Sequence, residues 1–117
     1  RHHRAMLIYK ILRESEWALL SNDGVTKGAP IDLADGFVHF STAAQAAETA
    51  TKHFAQEVGL MLLALEADRL GPDLKWEPSR GGALFPHLYR ALHLDDIVWS
   101  KPLPKVNGTH QFPKDMS

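Results

Sequence analysis

Apolar and polar positions along the chain change period several times, and each change marks an element. "LIYKILR" (7–13) carries β-branched and aromatic residues with apolar side chains on both faces, which predicts a strand. "SEWALLSNDG" predicts a short helix, with Ser15 as N-cap and Asn22-Asp23-Gly24 as the stop. Residues 25–36 hold Gly28, Pro30 and Gly36 and are expected to form a surface loop. "FVHFS" (37–41) alternates as a strand does, with Phe37, His39 and Ser41 on one face and Val38 and Phe40 on the other. Thr42 then opens a helix, with Gln45 three places on completing a capping box. Ala43, Ala47, Ala50, Phe54 and Val58 give that helix its apolar stripe. Glu48 and Lys52 pair on its outer side, and Gly59 ends it.

The second half is strand-like. "LMLLALEA" is continuously apolar and is expected to be central, covered on both faces. Gly71-Pro72-Asp73 forms a turn, "LKWE" a short strand, residues 78–82 a loop and "HLYRAL" another strand, with Pro86 confining its entry to an edge or first position. "DIVWS" pairs last, before a proline-punctuated tail from about residue 101 that is expected to be extended. These elements predict one α+β domain of small, packed sheets with about two helices. The pentapeptide "RHHRA" ahead of Met6 is expected to be a vector remnant or a disordered extension, with residues 6–117 forming the domain.

Composition narrows the chemistry. With 117 residues the chain has material for one core. The formal net charge of −1 provides no global field toward nucleic acid or an anionic membrane. The absence of cysteine removes disulfides, thiolate metal sites and cysteine nucleophiles. No apolar run approaches the ~20 residues of a membrane span, and the expected setting is a monomer in the cytoplasm. Neither Gly-x-Ser-x-Gly nor a phosphate-binding glycine fingerprint occurs, and no histidine spacing supports a metal site.

Two stretches concentrate reactive side chains. In "VHFST", an imidazole and a hydroxyl lie on one face, about 7 Å apart along the strand, just before a helix N-terminus. "WEPSRGGALFPHLYR" (76–90) gathers Glu77, Arg80, Gly81-Gly82, His87, Tyr89 and Arg90. His87 and Tyr89 form a second pairing of imidazole and hydroxyl on one strand face. Arg80 beside two glycines offers a guanidinium and bare backbone to a phosphate. Taken one at a time, each of these residues is more often structural than functional. Their concentration on two strands is what points to a shared pocket.

The segments "GFVHFSTAAQ" and "LKWEPSRGGALFPHLYRAL", with the opening "LIYKIL" and a nearby tryptophan, resemble the domain of unknown function 952 family. This is a small, mainly bacterial group without established activity. The resemblance spans nearly the whole chain. It implies a fold similar to that of the ADP-ribosyltransferases, a split α+β arrangement that clasps NAD between two small sheets. Carried onto this sequence, His39 takes a ribose hydroxyl, the Phe40 backbone the nicotinamide amide and Ser41 a supporting hydrogen bond, with Thr42 at the helix start. Tyr89 stacks on the nicotinamide, and Arg80 or Arg90 meets the pyrophosphate. The catalytic candidates are His39, His87 and Glu77. Two departures stand against ordinary transfer: Phe40 sits where those enzymes favour glycine, and Glu77, the last glutamate, precedes Tyr89 rather than following it. Asp95 and Asp96 are shorter substitutes at a turn. The RNA 2′-phosphotransferases, which work with arginine and histidine, fit the layout better. The resulting expectation is a small enzyme handling NAD, ADP-ribose or a related nucleotide phosphate, against the alternative of a non-catalytic binding module on the same fold.

Overall fold

A computed structural model describes residues 6–114 and residue 116, without the side chain of Arg80. The pentapeptide 1–5 lies outside the described residues. Ten strands and three α-helices follow in the order β1 (Leu7–Leu12), α1 (Glu14–Asp23), β2 (Val25–Thr26), α2 (Pro30–Asp35), β3 (Val38–His39), α3 (Ala43–His53), β4 (Leu60–Glu66), β5 (Leu74–Pro78), β6 (Leu84–Leu88), β7 (Leu92–His93), β8 (Ile97–Leu103), β9 (Lys105–Val106) and β10 (Thr109–His110). The strands form two antiparallel three-stranded sheets, β1-β4-β8 and β3-β6-β5, and two small ribbons, β2-β7 and β10-β9. The α+β class and the small, separate sheets therefore hold.

β4 is the middle strand of its sheet, as its unbroken apolar run requires, and the core lies on both its faces. Alternate residues of β1 and β4 feed two clusters. One gathers Ile8, Leu12, Leu63 and Leu65 with Leu20, Val38, Phe40 and Leu88. The other gathers Tyr9, Ile11, Leu62 and Ala64 with Ala50, Phe54 and Leu103. The three-stranded sheets meet where Tyr9 and Ser41 exchange backbone hydrogen bonds of 2.7 and 2.9 Å. That junction puts the end of β3 against β1, and α3 packs over it.

Several boundaries differ from the sequence expectations. Residues 25–36 are not an open loop: they contain β2 and α2, a third α-helix. Pro30 stands in the first turn of α2, and Asp32 accepts the Ala29 amide at 2.8 Å. Helix α1 starts at Glu14, two residues earlier than an N-cap at Ser15 allows, because the Glu16 carboxylate accepts the Arg13 amide at 2.8 Å. In α3 the Thr42–Gln45 capping box forms as expected, but Ala46 rather than Ala47 faces inward. The helix stops at His53, so Val58 lies beyond it, 72% exposed.

Pro86 falls inside the middle strand β6, not at an edge or an entry. Its carbonyl accepts the Phe40 amide at 3.0 Å, so its missing donor also points toward β3, which has already ended. The expected extended tail is instead the end of β8 followed by a tight hairpin. Asn107 (φ 52°) and Gly108 (φ 83°) form the two-residue turn that the right-handed twist of a ribbon favours. Among the described residues no helix is long and apolar enough to cross a membrane.

Candidate functional site

His39 and His87 are cross-strand partners on β3 and β6, with ring centroids 5.3 Å apart. The antiparallel register that buries Val38 against Leu88 also sets the two imidazoles side by side. The Phe37 ring covers both, 4.5 Å from the His39 centroid and stacked at 4.2 Å on His87, and lies 5.1 Å from Tyr89. The predicted face of Phe37 and His39 therefore exists. Tyr89 has left the strand but returns to the same aromatic group.

Each imidazole is held by carboxylate. His87 Nδ1 donates to Glu77 Oε1 at 2.8 Å, and the Tyr89 hydroxyl donates to the same oxygen at 2.7 Å. The Tyr89 bond, then the His87 bond, lower the Glu77 carboxyl below its ordinary range. An ionised carboxylate only accepts, so the Nδ1 proton of His87 is fixed. His87 is 4% exposed, and its Nε2 is buried without a hydrogen-bond partner among the described residues.

His39 is bound more tightly. Its Nδ1 lies 2.6 Å from Asp32 Oδ1 and its Nε2 lies 2.9 Å from Asp35 Oδ2. Both contacts are hydrogen bonds at once only when both ring nitrogens carry protons. Asp32 is the hub: it is 1% exposed and receives the Lys10 ammonium at 2.7 Å, the Ala29 amide at 2.8 Å and the His39 amide at 3.0 Å as well as the ring. Burial acts to raise the Asp32 carboxyl. The His39 hydrogen bonds and the Lys10 charge outweigh it and hold the group at about 2. For Lys10 burial wins, and its ammonium titrates below its ordinary value despite Asp32.

Of these groups, Lys10, Asp35, His39 and His87 border a cleft of about 580 Å³ between β1, α2, β3, α3 and β6. Lys10, Asp35, His39, Ser41, His87 and Ser79 contribute its polar surface, and Tyr9, Ile11, Ile31, Phe54 and Phe85 part of its apolar wall. Ser41 is buried, with its hydroxyl 2.9 Å from that of Thr49. Phe40 also borders the cleft, although most of its side chain is in the core.

The other sequence candidates lie elsewhere. Thr42 is occupied as a cap: its hydroxyl accepts the Gln45 amide at 3.3 Å, and its own amide donates to the Gln45 side chain at 3.0 Å. Tyr89 and Arg90 border a second cavity of about 270 Å³, so His39 and Tyr89 touch a common ring but open into different spaces. Arg90 forms a fork with Asp96, at 2.9 and 3.2 Å, and those bonds raise the guanidinium further. The Arg80 backbone begins a 3-10 turn with Gly81 and Gly82 beside the cleft residue Ser79, and its side chain lies outside the described residues. Among the described residues no group of three or more histidines and carboxylates is arranged to hold a metal ion.

Sequence reading missed Lys10, Asp32 and Asp35. A signal for Lys10 was available, because it is the one charged residue inside "LIYKIL", a segment otherwise apolar on both faces. For Asp32 the signal was "PID", a proline at a helix start followed by an acid placed to accept the capping amide.

A sequence profile described as protein of unknown function (DUF952) matches residues 11–100. Protein CC0527 from Caulobacter crescentus, a structural genomics target, is similar throughout. Its X-ray structure superposes with a TM-score of 0.86 at 50% identity, covering 90% of this chain and 93% of that one. The solution NMR structure of the same protein gives 0.80 at 49% identity, covering 89% and 90%. No curated protein matches the chain.

Proposed function

The chain belongs to the DUF952 family of proteins of unknown function, and from that premise we propose that its cleft takes the nucleoside portion of a small nucleotide of the NAD or ADP-ribose class. His39 and His87 orient that portion and exchange protons with it. One observation carries the reading: two imidazoles, each steadied by its own carboxylate, border a single cleft of about 580 Å³. That volume is within the range of small-molecule sites, roughly 300–1,000 Å³. Carboxylate-oriented histidine is also the usual form of a general acid or base.

The roles follow from the fixed protons. His87, with Nδ1–H given to Glu77, offers the lone pair of Nε2 as acceptor, and Tyr89 steadies Glu77 from the other side. His39 is the donor: the ionised Asp32 keeps the Nδ1 proton in place, and the Nε2 proton, shared with the exposed Asp35, is the one given to the ligand. The ligand's phosphates belong at the mouth, near Gly81 and Gly82, where open space meets bare backbone. Inside the cleft Lys10 and Arg13 are already paired.

Amide NMR titration with NAD, ADP-ribose and nicotinamide tests the reading on wild type and His39→Ala. Saturable shifts at residues 39–41, 79–82 and 85–87, lost in a folded variant, are expected. No shift at millimolar ligand removes the nucleotide reading. A non-catalytic binding module is the second reading, and one fact favours it: His87 Nε2 is buried, so a bound ligand reaches it only after the ring moves. Release of nicotinamide from NAD marks the enzyme; saturable binding without release marks the module.

A further inference from the structure

We propose that Asp35 is a removable cap on His39: its carboxylate holds the Nε2 proton until an acceptor atom of the ligand takes that proton over. The proposal rests on the reading of this cleft as the ligand site. It makes Asp35 a competitor for the ligand, built into the chain beside the residue that the ligand uses.

The two carboxylates on His39 are held in opposite ways. The Asp32 side chain is 0% exposed and accepts from the Lys10 ammonium, the Ala29 amide, the His39 amide and His39 Nδ1. Turning it away would strand the buried ammonium, so it stays in place. Asp35 is the last residue of α2, and its side chain is 45% exposed. Its 2.9 Å contact with His39 Nε2 closes across the Gly36 turn between α2 and β3. Rotation about the Asp35 side-chain bonds carries the carboxylate into water and leaves the backbone as it is. The cost is small, because an ion pair this exposed is worth little.

Asp35 and His39 both border the cleft. A ligand there finds Nδ1 closed to it, held at 2.6 Å by the buried Asp32, so Nε2 is the one nitrogen of His39 it can use. To use it, the ligand has to displace the Asp35 oxygen. Binding therefore takes two steps, opening of the cap and then docking. The observed affinity is the intrinsic one reduced by the fraction of molecules that are open. That reduction is the same for every ligand that uses Nε2, whatever its charge. Two other roles for Asp35 predict something else. As a plain negative charge it would oppose anionic ligands and leave neutral ones alone. As a support that positions the His39 ring, its loss would weaken binding.

Wild type, Asp35→Ala and Asp35→Asn are titrated with ADP-ribose (anionic) and adenosine (neutral), followed by amide NMR on the full chain. In Asp35→Ala both probes are expected to bind about two- to fivefold tighter, by the same factor, with shifts at residues 39–41. Asp35→Asn should gain less, because its amide oxygen still accepts from Nε2 without the charge. The His39 ring nitrogens give a readout that needs no ligand: in Asp35→Ala the Nε2 signal moves, and Nδ1, still on Asp32, stays. A gain for ADP-ribose alone overturns the cap in favour of a charge effect. Weaker binding of both probes overturns it in favour of a positioning role, and unchanged affinity overturns it outright. In each of those cases the cleft stands as a ligand site. Shifts from neither probe in any of the three proteins overturn the cap and the nucleotide reading together.

Discussion

Lys10 on β1 and His39 on β3 are joined through the two oxygens of one buried carboxylate: Asp32 Oδ2 takes the ammonium at 2.7 Å and Oδ1 takes the imidazole at 2.6 Å. Asp32 sits on α2, so a single side chain ties three elements together at the cleft. Replacing it with asparagine removes the negative charge and leaves the buried Lys10 ammonium facing an amide. Breaking one partner of such a pair typically destabilises by about 3–5 kcal/mol. Urea unfolding of Asp32→Asn is expected to show a loss of that order. The double variant Lys10→Met, Asp32→Leu should lose less than the two single changes summed, because neither charge is then stranded. A loss below about 1 kcal/mol in Asp32→Asn would mean that the pair is not buried as described.

The same carboxylate sets an acid limit on the fold. Asp32 is held at about 2 against an ordinary 3.8, so the folded state binds its proton less readily than the unfolded chain. A depressed carboxylate contributes stability that is complete above its unfolded value and is lost as pH falls through its folded value. The contribution is about 2 kcal/mol, and it disappears between roughly pH 4 and pH 2. Unfolding free energies measured across that window should fall more steeply in wild type than in Asp32→Asn. Parallel slopes would show that other carboxylates carry the acid sensitivity.

How much of this site could be read from the sequence depends on whether the signal was local. "FVHFS" and the Thr42–Gln45 cap depend on neighbours within a few residues, and they appear as read apart from the shortness of β3. Residues 25–36 carry three turn-forming residues, which mask a helix of only six residues whose identity depends on a buried Lys10 twenty-two positions earlier. The opposition of His39 and His87 is a matter of register between distant strands, which no local period encodes. Arg90 illustrates the converse. It looks available in the sequence because Asp96, its partner, approaches only through the turn after β7.

Gly28 carries a constraint that its sequence context conceals. Its φ is +104°, and a Cβ at this position would lie 2.2 Å from Asp32 Oδ2 and 2.6 Å from Asp32 Cβ. Asp32 is locked by four hydrogen bonds and cannot yield without releasing Lys10 or His39. Gly28→Ala therefore combines backbone strain with displacement of the hub, and a loss of about 2–4 kcal/mol is expected in urea unfolding. The His39 ring resonances should shift as well. Gly24→Ala makes a fair control: its φ is +77° with open space around it, so it should lose stability through strain alone and leave those resonances in place.

Glu77 ties His87 to Tyr89, and the phenol reports on that tie. Its hydroxyl donates to Glu77 Oε1 at 2.7 Å, which favours the protonated phenol, and the Glu77 charge adds to the effect, so Tyr89 titrates above its ordinary value. Glu77→Gln keeps an oxygen that can accept but removes the charge. The Tyr89 titration, followed through its ring-carbon chemical shift in alkaline solution, should then move down toward the ordinary phenol range. His87 gives the paired readout. With glutamine in place, the Nδ1–H tautomer is no longer enforced by a carboxylate, and the ring nitrogen shifts should show a mixture of the two neutral forms. An unmoved Tyr89 titration would place the hydroxyl away from Glu77. An unmoved His87 tautomer would assign the Nδ1 proton to some other acceptor, and His87 could no longer be read as a base steadied by Glu77.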